Sequence, residues 1–203
     1  MSELEENLLI ESVLTYFRNL TPLSEGFVSE IEKGALFLEV KKNKYILSPL
    51  EYNSNVFFIA KGLARGFVKF QDKELTTWIS LGSEFIGAIQ NPYDNLTSPS
   101  IEYIQALEDA QLVAIPQTLI YHLYEVYPET NVIGRKILNM QHHQASERAI
   151  LARLPTAENR YERFMETHAH VFAKVPLRCI ASYLGMRLET LSRIRNRADK
   201  IRV

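Results

Sequence analysis

Glu189 and Arg193 stand four residues apart near the carboxyl end, a spacing that puts both side chains on one face of a helix. A carboxylate there can accept a hydrogen bond from the amino group of cytosine, and a guanidinium can grip O6 and N7 of guanine. A good bidentate contact of this kind discriminates against the wrong base by roughly 1–3 kcal/mol. The same pair could instead form an exposed salt bridge, worth about 0.3–0.5 kcal/mol. Thr190 and Ser192 lie beside it, with a set of bases suited to phosphate contacts: Arg178, Arg187, Arg195, Arg197 and Lys200. Residues 178–203 hold seven bases against two acids, a net charge of +5; the whole chain carries −1, so residues 1–177 carry −6. A basic end on an acidic body points to a polyanion as the partner of that end.

The elements that must position these side chains are legible around them. Pro176 suits the first position of a short helix whose apolar face is Ile180, Ala181 and Leu184. Gly185 follows, able to take the left-handed turn conformation. A second helix begins near Leu188 and buries Leu191 and Ile194, and the small Ala181 lets the two helices cross closely. This is the helix-turn-helix pattern, whose second helix enters the major groove of DNA.

Upstream, a segment from about Glu129 to Leu154 repeats Ile133, Ile137, Met140, Gln144, Glu147, Leu151 and Leu154 at steps of four and three, the seam of a coiled coil. At 1.5 Å per residue it would be about 39 Å long, enough to join two domains and two subunits. The alternative is that this stripe packs on the chain's own barrel. Pro155 ends the helix, and Thr156 is placed to cap the next, from Ala157 to about His170.

From about residue 35 to 115 the texture is of short runs rich in β-branched and aromatic residues: Leu36–Val40, Lys44–Leu47, Val56–Lys61, Leu63–Phe70, Leu75–Ile79, Glu102–Leu107 and Gln111–Ile115. Their spacing indicates an antiparallel sandwich or barrel. Before it, apolar Leu8, Leu9, Val13, Leu14 and Phe17 mark a helix that Thr21-Pro22 breaks, and Ser24 is placed to cap a second helix ending near Gly34. After it, Gln117–Val126 forms a short helix stopped by Tyr127-Pro128.

The stretch Ile180-Ala-Ser-Tyr-Leu-Gly followed by Glu189-Thr-Leu-Ser-Arg-Ile resembles the helix-turn-helix of the Crp/Fnr family, the relatives of catabolite activator protein, and especially its shorter members from Bacteroidetes. The resemblance covers nearly the whole chain. It implies an α+β fold with three parts. Residues 1–127 would form an antiparallel, cyclic-nucleotide-binding-like β jelly roll with flanking helices, 128–154 the dimerisation helix with Ile133, Ile137, Met140, Gln144 and Leu151 in its seam, and 155–203 the DNA-binding head. It also implies that Glu189 and Arg193 contact bases. The family's second base-reading Arg is matched by Leu188, so part of the recognised sequence must differ, and the family's β-wing has no counterpart before the last residue, Val203.

In such domains a helix start and an Arg hold the ring phosphate of the nucleotide, and a Glu binds the ribose. Leu81-Gly-Ser-Glu-Phe-Ile-Gly-Ala-Ile89 is similar to the opening of that cassette, with Gly82, Glu84, Phe85, Ile86 and Gly87 as candidate pocket residues. The family's Glu is replaced by Ala88, and Ser98-Pro-Ser-Ile-Glu102 offers no base where the Arg belongs. Without a charge-assisted clamp on the phosphate, tight binding of cyclic AMP or cyclic GMP is not expected. The segment would then hold an unidentified small-molecule effector, or simply be a structural turn.

Other classes find little support. His122, His142, His143, His168 and His170 all fall in predicted helices rather than in the barrel, so a metal site of the kind that jelly-roll enzymes use is not expected. No Gly-x-Ser-x-Gly, no phosphate-binding Gly-Lys-Ser/Thr loop and no Cys–His arrangement is present, and no catalytic residue or cofactor is expected. The single cysteine, Cys179, cannot form an intrachain disulfide, and no apolar run approaches the roughly 20 residues of a membrane span. The sequence thus points to a cytoplasmic, homodimeric regulator whose partners are a palindromic duplex operator and a second copy of the chain. An effector and RNA polymerase remain open as further partners. The alternative is a small-molecule sensor acting through protein partners without specific DNA binding.

Overall fold

The computed structural model describes residues 2–50, 53–87 and 101–201, apart from the side chains of residues 3 and 199–201. The chain divides into two compact units: Met1–Gly66 with Ile79–Gln141, and Phe67–Trp78 with His142–Val203. The long helix is shared between the units, and the outer part of one β-hairpin groups with the carboxyl-terminal half.

Helix α1 (Glu3–Arg18) starts at a capping box: Ser2 Oγ accepts from the Glu5 amide, and the Ser2 amide donates to the Glu5 carboxylate at 2.7 Å. Ser24 caps α2 (Glu25–Gly34) as its sequence predicts, accepting from the Phe27 amide, and its own amide and hydroxyl donate to Glu129 Oε1 at 3.0 and 2.6 Å. These bonds hold the Glu129 carboxyl below its usual pKa and tie the start of α2 to the first turn of the long helix.

Among the described residues eight strands follow: β1 (Leu36–Val40), β2 (Tyr45–Leu47), β3 (Asn55–Lys61), β4 (Ala64–Phe70), β5 (Lys73–Ser80), β6 (Glu84–Ile86), β7 (Glu102–Ala106) and β8 (Ala110–Pro116). They form two four-stranded sheets, ordered β1-β8-β3-β6 and β2-β7-β4-β5. The pairings of the first sheet are antiparallel, with Phe37 opposite Val113, Phe58 opposite Val113 on the other side of β8, and Phe58 opposite Phe85. Strand β6, which the sequence places inside a candidate binding loop, is therefore an edge strand. The antiparallel β architecture with flanking helices agrees with expectation.

The core of the first unit lies where α1 and α2 cover the first sheet. Val13, Leu14, Phe17, Phe27, Ile31, Phe58 and Val113 are buried there, and Tyr16, Phe17, Phe58 and Phe85 form an aromatic cluster with centroid separations of 5.0–6.2 Å. Such edge-on and stacked pairs add about 0.5–1.5 kcal/mol each beyond the area they bury. Helix α3 (Gln117–Val126) and the start of α4 (Pro128–Arg153) complete this core through Leu123 and Ile133. The second unit contains α5 (Ala157–His168), a short 3-10 turn at Ala169–Val171, α6 (Leu177–Tyr183) and α7 (Leu188–Ile201).

Candidate nucleic-acid interface

The second unit builds a small helical core from Tyr161 and Phe164 of α5, Cys179, Ile180 and Ala181 of α6, and Leu191 and Ile194 of α7, with Leu184 closing it at the turn. All are less than one tenth exposed. Phe164 meets Phe172 and Tyr183 edge-on, and burial pushes the Tyr183 hydroxyl pKa up.

The turn between α6 and α7 has the hydrogen bonds of a Schellman ending: the Met186 amide donates to Ala181 O at 3.0 Å and the Gly185 amide to Ser182 O at 3.1 Å. Gly185 supplies the left-handed residue that this ending requires, with φ at +63°. The turn is also held from outside. Arg160 on α5 donates from Nε to Leu184 O at 2.7 Å and from Nη1 to Leu154 O at 2.9 Å, so one guanidinium satisfies carbonyls at the ends of two helices. Ser182 Oγ accepts from the Thr76 amide at 2.9 Å and donates to Glu74 O at 2.8 Å, fixing α6 to the hairpin segment of its own unit. Arg163 reaches Glu147 of α4 at 2.8 Å.

Because α7 buries Leu191 and Ile194, the opposite face is fixed by the 3.6-residue period. It carries Glu189, Arg193 and Asn196, all exposed. Ser192 and Arg195 lie half-exposed on one flank, and half-exposed Thr190 and exposed Arg197 on the other. Neither Glu189 nor Arg193 makes a hydrogen bond or an ion pair with any described residue, so the salt bridge that their spacing would allow is not formed. Arg178 on α6 and Arg187 in the turn are exposed. Lys200 lies on α7, but its side chain is outside the described residues. Asn196 is absent from the sequence-level candidates, although its distance of three from Arg193 and seven from Glu189 places it on their face. Arg160 was also missed; its targets are backbone carbonyls that no spacing rule marks.

The candidate effector segment is largely occupied by the fold. Gly82 has φ at +91° and Ser83 at +56°, and the Ser83 amide donates to Ile59 O at 2.7 Å, which makes a tight turn into β6. Phe85 belongs to the aromatic cluster and Ile86 is buried. Glu84 is half-buried and Gly87 exposed. Ala88 and the stretch 98–100 lie outside the described residues. Among the described residues no three His, Cys, Asp or Glu side chains are grouped to hold a metal ion, and none of the helices is long and apolar enough to cross a membrane.

The seam expected on α4 is used differently along its length. Ile133 is buried in the core of the first unit and Ile137 packs against it, while Leu151 is also buried within the chain. These three positions are therefore covered by the chain itself; only Met140 and Gln144 of the expected seam are exposed. A second stripe at steps of four and three, Leu138, His142, Ala145, Ala149 and Ala152, is exposed throughout, Leu138 by 65%.

With the geometry in place, comparison with known proteins is informative at the level of structure. No family model matches the sequence, and no curated protein does. Solved structures do match. FixK2 from Bradyrhizobium japonicum superposes with a TM-score of 0.68 at 19% identity, over 82% of this chain and 85% of that one. A CooA mutant from Carboxydothermus hydrogenoformans gives 0.68 at 19% identity, over 89% and 82%. A chain from Eubacterium rectale, described as a transcriptional regulator of the Crp/Fnr family, gives 0.66 at 15% identity, over 87% and 85%. The fold is that of the Crp/Fnr regulators. The matches extend over most of both chains. At these identities the agreement concerns architecture, and the chemistry rests on the side chains described above.

Proposed function

We propose that this chain is a homodimeric, sequence-specific DNA-binding regulator of transcription. The observation that carries the proposal is the outer face of α7, where an exposed carboxylate and an exposed guanidinium, unpaired with each other, sit opposite a fully formed core on the second helix of a helix-turn-helix. Glu189 would accept from a cytosine amino group and Arg193 would donate to guanine, while Arg178, Arg187, Arg195 and Arg197 meet phosphates. Thr190 and Ser192 would supply shorter polar contacts beside them. Transcription regulators with this fold, including the chain described as a Crp/Fnr regulator, support the reading. Selection of bound fragments from a random duplex library by the purified chain tests it: a recurrent palindrome with half-sites about one helical turn apart is the expected result.

Dimerisation would use the exposed stripe of α4, Leu138, His142, Ala145, Ala149 and Ala152, rather than the seam centred on Ile133 and Ile137. Small alanines allow close approach of two helices, and the 4-3 spacing is that of a coiled-coil contact. Leu138→Glu should shift the chain to monomer in analytical ultracentrifugation and weaken binding to the palindrome, while Met140→Glu should do less. Cyclic AMP and cyclic GMP are not the expected effectors, because the two charged anchors of the nucleotide cassette are absent from the sequence at Ala88 and before Glu102. Calorimetry with each nucleotide should show no binding at micromolar concentration.

A further inference from the structure

Asn196 is the one uncharged amide on the outer face of α7, and no described residue engages its side chain. It is exposed, it makes no hydrogen bond with a described residue, and the helix continues past it to Ile201, so it does not act as a helix cap. Asparagine is also among the poorer residues for a helix interior. Local stability would favour Ala, Lys or Glu at this position. We propose that Asn196 is a third base-reading residue and that it selects adenine, an assignment that rests on the DNA-binding reading above.

The chemistry is specific. A side-chain amide offers a donor and an acceptor side by side, which matches N7 and the N6 amino group of adenine in the major groove and no other base as well. Guanine presents two acceptors there and is the partner of Arg193; cytosine presents a donor and is the partner of Glu189. The placement is also fitting. Asn196 lies about 4.5 Å along the helix axis beyond Arg193, on the side away from Glu189. That advance is about one base-pair rise of 3.4 Å, so its adenine should fall one or two pairs beyond the base that Arg193 contacts. The outer face of α7 would thus read three different bases with three different side chains.

The test takes the full chain and the Asn196→Ala variant through selection from a random duplex library, followed by titration of the selected duplexes at one fixed salt concentration. Alanine raises helix propensity, so the variant helix is not at risk. Both proteins should retain the bases assigned to Glu189 and Arg193. The variant should lose one adenine per half-site, its preference at that position falling from roughly 5- to 150-fold to nearly none. Its affinity for random duplex should be unchanged, since an uncharged side chain releases no counterions. Asn196→Asp should move the preference at the same position from adenine towards cytosine. If Asn196→Ala selects that adenine as strongly as the unaltered chain, or the unaltered chain selects a motif without it, the assignment is overturned and the regulator reading stands. If the unaltered chain selects nothing, both fall.

Discussion

Replacing Arg193 by alanine isolates a contact on which the proposed base recognition depends. The guanidinium is exposed and unpaired, so its removal leaves no buried partner stranded, and folding stability should change by no more than about 0.5 kcal/mol. The loss in binding is then a direct measure of what the side chain does at the groove. A bidentate contact to guanine corresponds to about 1–3 kcal/mol in each half-site, so the dimer on its palindrome should lose about 2–6 kcal/mol, or roughly 30- to 20,000-fold in affinity for the selected duplex. On random DNA the same variant loses only the electrostatic share of one positive charge per protomer. The comparison is with Arg197→Ala, whose side chain lies on the flank of the same helix. That variant should weaken selected and random DNA alike and lower the slope of log affinity against log salt by about 0.9 per protomer, or about 1.8 for the dimer. Anisotropy titrations over a salt series with both duplexes measure all four quantities. Equal fractional losses on the two duplexes for Arg193→Ala would remove this residue from base readout and leave it as one more phosphate contact.

Three further outcomes follow from the turn and its supports. Gly185→Ala finds open space for its new methyl group but must hold φ near +63°, so it should cost the second unit about 1–2 kcal/mol, visible as faster amide exchange in α6 and α7; Gly185→Asn should cost less. Arg160→Ala should lower stability of the same unit by roughly 2 kcal/mol and reduce affinity for all duplexes without changing base preference, and Arg160→Lys should not restore it because one ammonium does not reproduce the fork that reaches both Leu184 O and Leu154 O. His168 stacks on Phe164 at 5.5 Å, and burial, then the neighbouring His170, hold its pKa below 6.5 against a smaller opposing pull from Glu147. The neutral ring is favoured in the folded state, so the second unit should be at full stability above about pH 6.5 and lose it as pH falls through the lower folded value; amide exchange in α5 of His168→Gln should show a flatter pH profile.

The parts of the molecule that were legible in its sequence are those with local causes. Ser24, Thr156 and Gly185 announce helix ends because a cap or a positive φ is a property of one residue and its neighbours, and each does what its type predicts. Most strands were found for the same reason, through alternation and turn residues. Strand β6 was not, since three residues carry no period and its identity comes from Phe58 lying opposite Phe85. The long helix shows a different limit. Its sequence carries two stripes with the same 4-3 spacing, and periodicity alone does not say which one the chain covers with its own core; burial of Ile133 and exposure of Leu138 decide it. Asn196 carries no charge to mark it in the sequence, and Arg160 holds carbonyls of Leu154 and Leu184 that only tertiary structure brings together.

The presence of Glu189 on so basic a surface is itself informative about how discrimination is achieved. An outer face of arginines alone would hold any duplex by counterion release, and a genome offers on the order of 10⁶–10⁹ competing sites. A carboxylate in their midst is repelled by every phosphate it approaches and loses hydration as it enters the groove, and Arg193 does not neutralise it within the protein. Only a groove position presenting an amino donor offsets that cost. On the proposed reading Glu189 would act chiefly against wrong sequences, whereas the phosphate-facing arginines, Arg193 aside, would act for DNA in general. The charge of −6 on residues 1–177 would work in the same direction by disfavouring approach of the remainder of the chain to the polyanion. In a symmetric dimer each penalty is applied twice, once per half-site, and the free energies of discrimination add.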